Sequence, residues 1–178
     1  MNIFLIGYRA SGKSSVGKLL AEKLGMSFID TDDLVEERAE KTIGKIFEAQ
    51  GEGHFRNLES EAVNSVCKMK SCVVALGGGA VLKKENLEKI KNSATVILLK
   101  ASPGKIVERL EKQKEKTLKQ RPTLTGKDVL EEVEEVLIQR ADIYSKAADY
   151  SIETDSLSPE EVAGKAIEFL KERDLIEN

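Results

Sequence analysis

A glycine-rich segment near the N-terminus carries the clearest chemical signal in the sequence. Residues 7–14 read GYRASGKS, which fits the pattern G-x-x-x-x-G-K-[ST], with an apolar strand before it and a helix after it. Glycines let such a loop curl until its amide N–H groups point at phosphate oxygens, and the helix N-terminus adds partial positive charge. Lys13 would reach the β- and γ-phosphates, and the Ser14 hydroxyl would bind Mg²⁺. The predicted nucleotide contacts in this segment are Ala10, Ser11, Gly12, Lys13, Ser14 and Ser15.

GTPase switches, ATPase motors and small-molecule kinases all use such a loop, so other features must separate these classes. The sequence has no N-K-x-D segment that would read guanine, and no apolar strand that ends in an aspartate of the Walker B kind. At 178 residues the chain has little room for the extra subdomains of a motor. The sequence therefore favours a small-molecule kinase.

Two aspartates mark the end of the second predicted strand, Ser27–Asp30. Asp30 and Asp32 stand at its carboxyl end, the edge of an open α/β sheet where ligands bind. If the chain stays extended there, the two side chains point the same way, one toward Mg²⁺ and the other toward an acceptor hydroxyl. The alternative is that Thr31 or Asp32 caps the next helix.

Two arginines beside apolar residues are candidates for binding a substrate carboxylate. Arg140 lies close to an apolar stripe on the predicted helix Asp128–Ser145, and Arg56 follows Phe55. A guanidinium in apolar surroundings needs an anion, and two in one crevice could hold a carboxylate through paired hydrogen bonds. The alternative is an internal ion pair with one of the 31 acidic side chains. The predicted stripe consists of Leu130, Val133, Leu137, Ala141 and Tyr144.

Residues 112–127 form a polar, mostly basic stretch between two predicted helices. Such a segment suits a lid that closes over phosphate groups and excludes water. Arg121 stands out within it because Pro122 stiffens the chain beside it. His54 is the only histidine, and we expect a surface or capping role for it instead of general-base catalysis.

Five short apolar segments alternate with helical segments, which predicts a single α/β domain over residues 1–178. The expected fold has three layers, α/β/α, around a five-stranded parallel sheet buried on both faces. The predicted strands are Asn2–Ile6, Ser27–Asp30, Cys72–Leu76, Ala94–Leu99 and Tyr150–Glu153. The predicted helices include Lys13–Leu24, Lys84–Lys91, a segment capped by Ser102, and a long region broken at Gly44 and at Gly51–Gly53.

The composition argues against several other functions. A net charge of −3 does not favour a broad nucleic-acid or membrane surface, because both need concentrated positive charge. The sequence shows no leader peptide and no run of about 18 apolar residues, so a cytoplasmic location is expected. Cys67 and Cys72 match no metal-binding or redox spacing, which predicts free thiols.

Taken together, these residues resemble the shikimate kinases, P-loop enzymes of the nucleoside-monophosphate-kinase-like group, over essentially the whole chain. The matching elements are GYRASGKSS from Gly7, Asp30-Thr31-Asp32, Phe55-Arg56, Gly77-Gly78-Gly79, Arg121-Pro122, and Arg140 followed by Tyr144. The resemblance implies transfer of the γ-phosphate of ATP to the 3-hydroxyl of shikimate, with Mg²⁺, by a monomeric enzyme of aromatic amino acid biosynthesis. Alternatives are a related gluconate-type kinase and a non-catalytic nucleotide-binding module.

The resemblance also implies a shikimate-binding segment at about residues 32–62. Asp32 would bind the shikimate hydroxyls and orient or deprotonate the attacking one. Arg56 and Arg140 would hold the carboxylate, while Gly78 and Gly79 would offer backbone N–H groups and close approach.

On the nucleotide side, the resemblance implies a lid at about residues 112–126. Arg121 would reach from it to the transferring phosphate, opposite Lys13. Asp30 would help Ser14 to hold Mg²⁺ through water, and Arg109 with the loop 155–159 would contact adenine.

The sequence departs from many family members at two places. Ala10 stands where glycine is common, and Val74-Ala75-Leu76 stands where serine or threonine is common. The first narrows the loop slightly, and the second removes a hydroxyl near the expected Mg²⁺ shell.

Overall fold

The computed structural model describes residues 1–112 and 128–177. Arg121 and the predicted lid beyond Lys112 lie outside these ranges. The role expected of Arg121 therefore stays a prediction.

Five parallel strands form one sheet, as the sequence predicted. The strands are β1 (Ile3–Ile6), β2 (Ser27–Asp30), β3 (Cys72–Ala75), β4 (Thr95–Lys100) and β5 (Tyr150–Glu153). They lie in the order β2-β3-β1-β4-β5, and each neighbouring pair is parallel. Every residue of β1 and β3 is buried, as expected for strands covered on both faces. Because the carboxyl ends of parallel strands meet at one edge, the segments that follow β1, β2 and β3 come together there.

Helices cover both faces of this sheet, which confirms the three-layer prediction. On one face, α1 and α7 pack against Ile3 and Leu5 of β1. On the other face, α3, α4 and α6 pack against Phe4 and Ile6. The helices are α1 (Lys13–Leu24), α2 (Thr31–Ala39), α3 (Ile43–Val66), α4 (Lys84–Ser93), α5 (Pro103–Lys112), α6 (Val129–Ala147) and α7 (Pro159–Glu172), and a 3-10 turn spans Ala80–Leu82.

The predicted break at Gly44 is misplaced. The helical region divides earlier, after Ala39, where Glu40 adopts a left-handed conformation with φ 51°. Gly44 lies buried in the first turn of α3, which Thr42 caps. The break at Gly51 is confirmed, because its φ of 76° and ψ of 174° kink α3 there.

The apolar stripe predicted on α6 is only partly right. Val133 and Tyr144 are buried, but Leu130 is 41% exposed and Ala141 is also exposed. The buried face is rotated toward Glu132 and Val136. Arg140 lies beside this buried face, and its side chain is half-buried.

Both cysteines in the described part of the chain are free thiols, as predicted; Cys72 is buried and Cys67 half-buried. Burial raises the pKa of both thiols, so neither is activated as a nucleophile. Within residues 1–112 and 128–177, no helix is long and apolar enough to cross a membrane.

Candidate active site

The loop between β1 and α1 folds as a phosphate-binding loop. Gly7 and Gly12 have φ angles of 140° and 102°, which glycine adopts without the strain that a side chain would add. Ala10 also has a positive φ of 58°, which explains why glycine is common at this position. The ammonium of Lys13 donates to the carbonyls of Gly7 and Tyr8, at 3.0 and 2.8 Å, and so lies over the loop.

A hydroxyl and a carboxylate lie together at the start of α1. Ser14 Oγ donates to Asp30 Oδ2 at 2.6 Å. The other oxygen of Asp30 accepts from the backbone N–H of Asp32 at 3.0 Å, which makes Asp30 the cap of α2. The predicted cap at Thr31 or Asp32 is therefore wrong, since β2 ends and the helix begins one residue earlier than that alternative required.

This pair of oxygens fits a divalent cation that is held mainly by phosphates and water. Mg²⁺ usually takes only one or two protein ligands beside a bound nucleotide and keeps several waters. Among the described residues, no group of three or more His, Cys, Asp or Glu side chains could hold a metal. Ser14 and Asp30 could supply such a pair of protein ligands, and their predicted role in holding Mg²⁺ stays a prediction.

The three glycines after β3 are the meeting point of the remaining site residues. A Cβ at Gly77 would lie 2.8 Å from Asp32 Oδ1 and 2.8 Å from Glu59 Oε1, and one at Gly79 would overlap the Arg56 guanidinium. None of the three has a positive φ, so glycine is needed here for space and not for backbone conformation.

Asp32 reaches this point from α2, not from an extended strand. It occupies the first turn of α2, next to the capping Asp30, so the expectation that both carboxylates point the same way along extended chain is wrong. The two instead diverge, Asp30 toward Ser14 and Asp32 toward Gly77. Thr31 lies between them and is buried, and its hydroxyl accepts from the backbone N–H of Gly77 at 2.8 Å.

Arg56 is held by two carboxylates of its own helix. Its Nη1 donates to Glu59 at 2.8 Å, while Nε and Nη2 donate to Glu52 at 3.2 and 3.0 Å. Burial of the guanidinium opposes its charge, but the ion pair with Glu59 and the hydrogen bonds to Glu59 and Glu52 raise the pKa of Arg56 above its ordinary value. The alternative of an internal ion pair is thus realised, yet the guanidinium still faces Gly79.

Arg140 reaches the same three glycines from α6. Its Nη1 donates to the carbonyl of Gly78 at 3.1 Å, and the hydroxyl of Tyr144, one turn later, donates to the same carbonyl at 2.7 Å. Arg140 forms no ion pair with any residue in 1–112 or 128–177. Its positive charge is therefore directed at the crevice without a protein carboxylate against it in the described chain.

A second buried pair joins the phosphate-binding loop to α6. Arg9 Nη2 lies 3.1 Å from Glu132 Oε1, and the Glu132 side chain is 1% exposed. A buried carboxylate is tolerated only when it is paired, so this contact fixes α6 against the loop.

The nucleotide side of the site is a cavity of about 530 Å³ that the loop shares with α5 and the segment after β5. Arg109 lines this cavity, where it donates to the carbonyl of Ala10 at 3.3 Å and to Thr154 at 2.8 and 3.1 Å. The segment Asp155–Leu157 and Pro159 line the same cavity. Arg109 and the 155–159 loop therefore line the cavity beside the phosphate-binding loop, and their contact with adenine stays a prediction.

Comparison with known proteins identifies the family. A family model described as Shikimate kinase matches residues 9–171. The chain belongs to the shikimate kinase family. A shikimate kinase of Thermodesulfovibrio yellowstonii is 42% identical over 166 residues, covering 93% of this chain and 92% of that protein.

Solved structures of the family agree with the fold. The shikimate kinase of Acinetobacter baumannii, solved in complex with shikimate, superposes with a TM-score of 0.91 at 32% identity, covering 98% of this chain and 95% of that one. The shikimate kinase of Aquifex aeolicus gives a TM-score of 0.83 at 34% identity, with 98% and 99% covered. Membership confirms the predicted family, fold and enzyme class, that of ATP-dependent kinases that phosphorylate a hydroxyl of shikimate.

Sequence reasoning missed three residues of this shikimate kinase site. Glu59 lies three positions after Arg56, a helical spacing that could have revealed the pair. Thr31 was noted only as a possible cap. Glu132 carried no signal at all, since nothing local links it to Arg9, 123 positions away.

Proposed function

We propose that this chain transfers the γ-phosphoryl group of ATP to the 3-hydroxyl of shikimate in the crevice between the phosphate-binding loop and Gly77–Gly79. The observation that carries the proposal is the convergence of Asp32, Arg56 and Arg140 on those glycines. Two cations and a carboxylate suit a small acid that bears neighbouring hydroxyls better than they suit a nucleobase.

Each polar group of the acceptor would meet a complementary residue in the crevice. Arg140, which forms no ion pair within the described chain, would bind the shikimate carboxylate together with Arg56. Asp32 would accept a hydrogen bond from the attacking hydroxyl and orient it toward the phosphate. The ion pair with Glu59 keeps the Arg56 guanidinium in place. Gly78 and Gly79 would let the ring approach the backbone closely.

The donor side supplies positioning and positive charge. Backbone N–H groups of the loop would hold the phosphates, and Lys13 would move from its carbonyl partners onto the β- and γ-oxygens. Ser14 and Asp30 are the residues that would hold Mg²⁺, which neutralises charge on the phosphates when it is bound. Arg121, outside the described residues, would close over the transferring group.

The test is an ADP-release assay with ATP, Mg²⁺ and shikimate. We expect ADP and phosphorylated shikimate in equal amounts, and loss of turnover when EDTA removes divalent cations. Gluconate and nucleoside monophosphates serve as comparison acceptors. Turnover of one of these in preference to shikimate, or nucleotide binding without any turnover, would reject the proposed acceptor.

Location and assembly remain predictions. The net charge of −3 supports a protein that binds neither nucleic acid nor anionic membranes. A cytoplasmic monomer is the expectation, and light scattering of the purified protein at several concentrations measures its assembly.

A further inference from the structure

A buried amide connects two parts of the acceptor site. Asn86 lies in the first turn of α4 and is 2% exposed. Its Nδ2 donates to Ser60 Oγ at 3.3 Å and to the carbonyl of Ala80 at 3.1 Å. Burying an amide is unfavourable unless its hydrogens are bonded, and here both N–H groups find a partner.

The two partners of Asn86 each adjoin a residue of the acceptor site. Ser60 follows Glu59 on α3, and its hydroxyl donates to the carbonyl of Arg56 at 2.9 Å. Ala80 follows Gly79 directly. One amide group therefore ties the helix that carries the guanidinium to the glycines that the guanidinium contacts.

The Arg56 side chain and the glycines that it contacts are tightly packed. A methyl group in place of a hydrogen on Gly79 would overlap Arg56, so the guanidinium lies directly against the glycine backbone. Glu59 likewise lies against Gly77. If α3 moved away from the glycines, the charge that faces the acceptor would move with it.

We infer that Asn86 is a positioning residue for the acceptor. Through Ser60 and Ala80 it holds α3 at the distance from Gly77–Gly79 that places the Arg56 guanidinium for the substrate carboxylate. The inference rests on the proposed function, because it assigns Arg56 to the acceptor. The described hydrogen bonds of Asn86 reach only the acceptor side, so the nucleotide side should not change.

The experiment measures steady-state kinetics against both substrates for Asn86→Leu, Ser60→Ala and the double variant. For Asn86→Leu we expect the KM for shikimate to rise ~10-fold or more while the KM for ATP stays within about twofold, because misplacement acts only on the acceptor. Ser60→Ala should shift the same constant in the same direction. The double variant should exceed the larger single effect by no more than about twofold, since both substitutions break one link.

Ile90→Val is the matched control, because Ile90 is fully buried on the same helix and has no polar contact with the site. It should lower the melting temperature without changing either KM. Asn86→Asp, which keeps the size but places an oxygen against the Ala80 carbonyl, should reproduce the effect of leucine.

The outcomes separate cleanly. An unchanged KM for shikimate in folded Asn86→Leu, or an equal rise in Ile90→Val, overturns the positioning role. If Asn86→Leu does not fold, Ser60→Ala decides alone, and an unchanged KM for shikimate there rejects the inference. Absence of shikimate turnover in the unsubstituted protein instead rejects the proposed function, whatever the variants do.

Discussion

Substitution of Gly79 by alanine tests the close contact on which the acceptor site depends. The new Cβ would overlap Arg56 Nη1, its nearest neighbour, and would lie 2.9 Å from Arg56 Cζ and 3.2 Å from its Nη2. Ordinary contacts between such atoms are about 3.5–4.0 Å, so the guanidinium has to retreat by at least about 1 Å to clear Nη1. Ion pairs with Glu52 and Glu59 hold the guanidinium in place, so this retreat must strain them.

A displacement of this size has a large kinetic effect. Misplacing a binding group by about 1 Å typically costs ~10²-fold in rate, which corresponds to about 3 kcal/mol of transition-state stabilisation. We therefore expect kcat/KM for shikimate to fall ~100-fold in Gly79→Ala. The KM for ATP should stay within about twofold, since no nucleotide contact is touched.

A double-mutant cycle with Arg56→Ala separates displacement of the arginine from direct collision with the substrate. If the alanine acts by moving Arg56, it adds little once that side chain is gone. A further ~100-fold loss in the Arg56→Ala background would refute the reasoning. Gly164→Ala is the control, because a Cβ there meets nothing within 4 Å, and its kinetics should match the unsubstituted protein.

Three further predictions concern other parts of the site and core. Asp32→Asn should leave the KM for ATP unchanged and lower kcat ~10²-fold or more in the ADP-release assay, because an amide orients the attacking hydroxyl less well and cannot accept its proton. Glu132→Gln should lower the free energy of unfolding by about 3 kcal/mol, since it leaves Arg9 buried without its anion, and should lower Tm by about 6–12 °C. Gly17→Ala should lower the free energy of unfolding, measured in urea, by about 1–2 kcal/mol. The new Cβ would overlap the Phe28 ring, and this clash costs more than the higher helix propensity of alanine contributes.

Matched neighbours serve as controls for these three. Asp33→Asn and Glu131→Gln change exposed carboxylates next to the residues in question and should have little effect on turnover or Tm. Gly164→Ala should be neutral or slightly stabilising in urea. Normal turnover in the Asp32 variant would remove its assigned role. An unchanged Tm in Glu132→Gln would show that Arg9 tolerates the loss of its anion. A raised urea midpoint in Gly17→Ala would show that the Phe28 ring moves aside at little cost.

Much of the fold follows from local sequence. The strand Ser27–Asp30 and the helix Lys13–Leu24 were predicted with the bounds that the structure has. Apolar runs, glycines and capping residues act on their immediate neighbours, so they can be interpreted without knowledge of the rest of the chain. The phosphate-binding loop belongs to this class, because its strand, turn and helix are contiguous.

Errors arose where the rotation of a helix or the end of a strand mattered. The prediction treated Asp30 and Asp32 as partners on extended chain, whereas the helix starts at Thr31 and sends them apart. The stripe on α6 was rotated for the same reason: a turn of a few tens of degrees decides which side chains are buried, and Leu130 is exposed. The periodicity of apolar residues does not determine the rotation of a helix this closely, whereas packing against the rest of the chain does.

The amino-acid sequence by itself determined the class of fold, the phosphate-binding loop and the set of charged residues available for the acceptor. Only the tertiary structure decided which charges meet: Glu59 with Arg56, Glu132 with Arg9, and Arg140 with the carbonyl of Gly78. The physical reason is range. Backbone conformation responds to nearby residues, whereas the pairing of buried charges depends on how elements distant in the chain pack at one edge of the sheet.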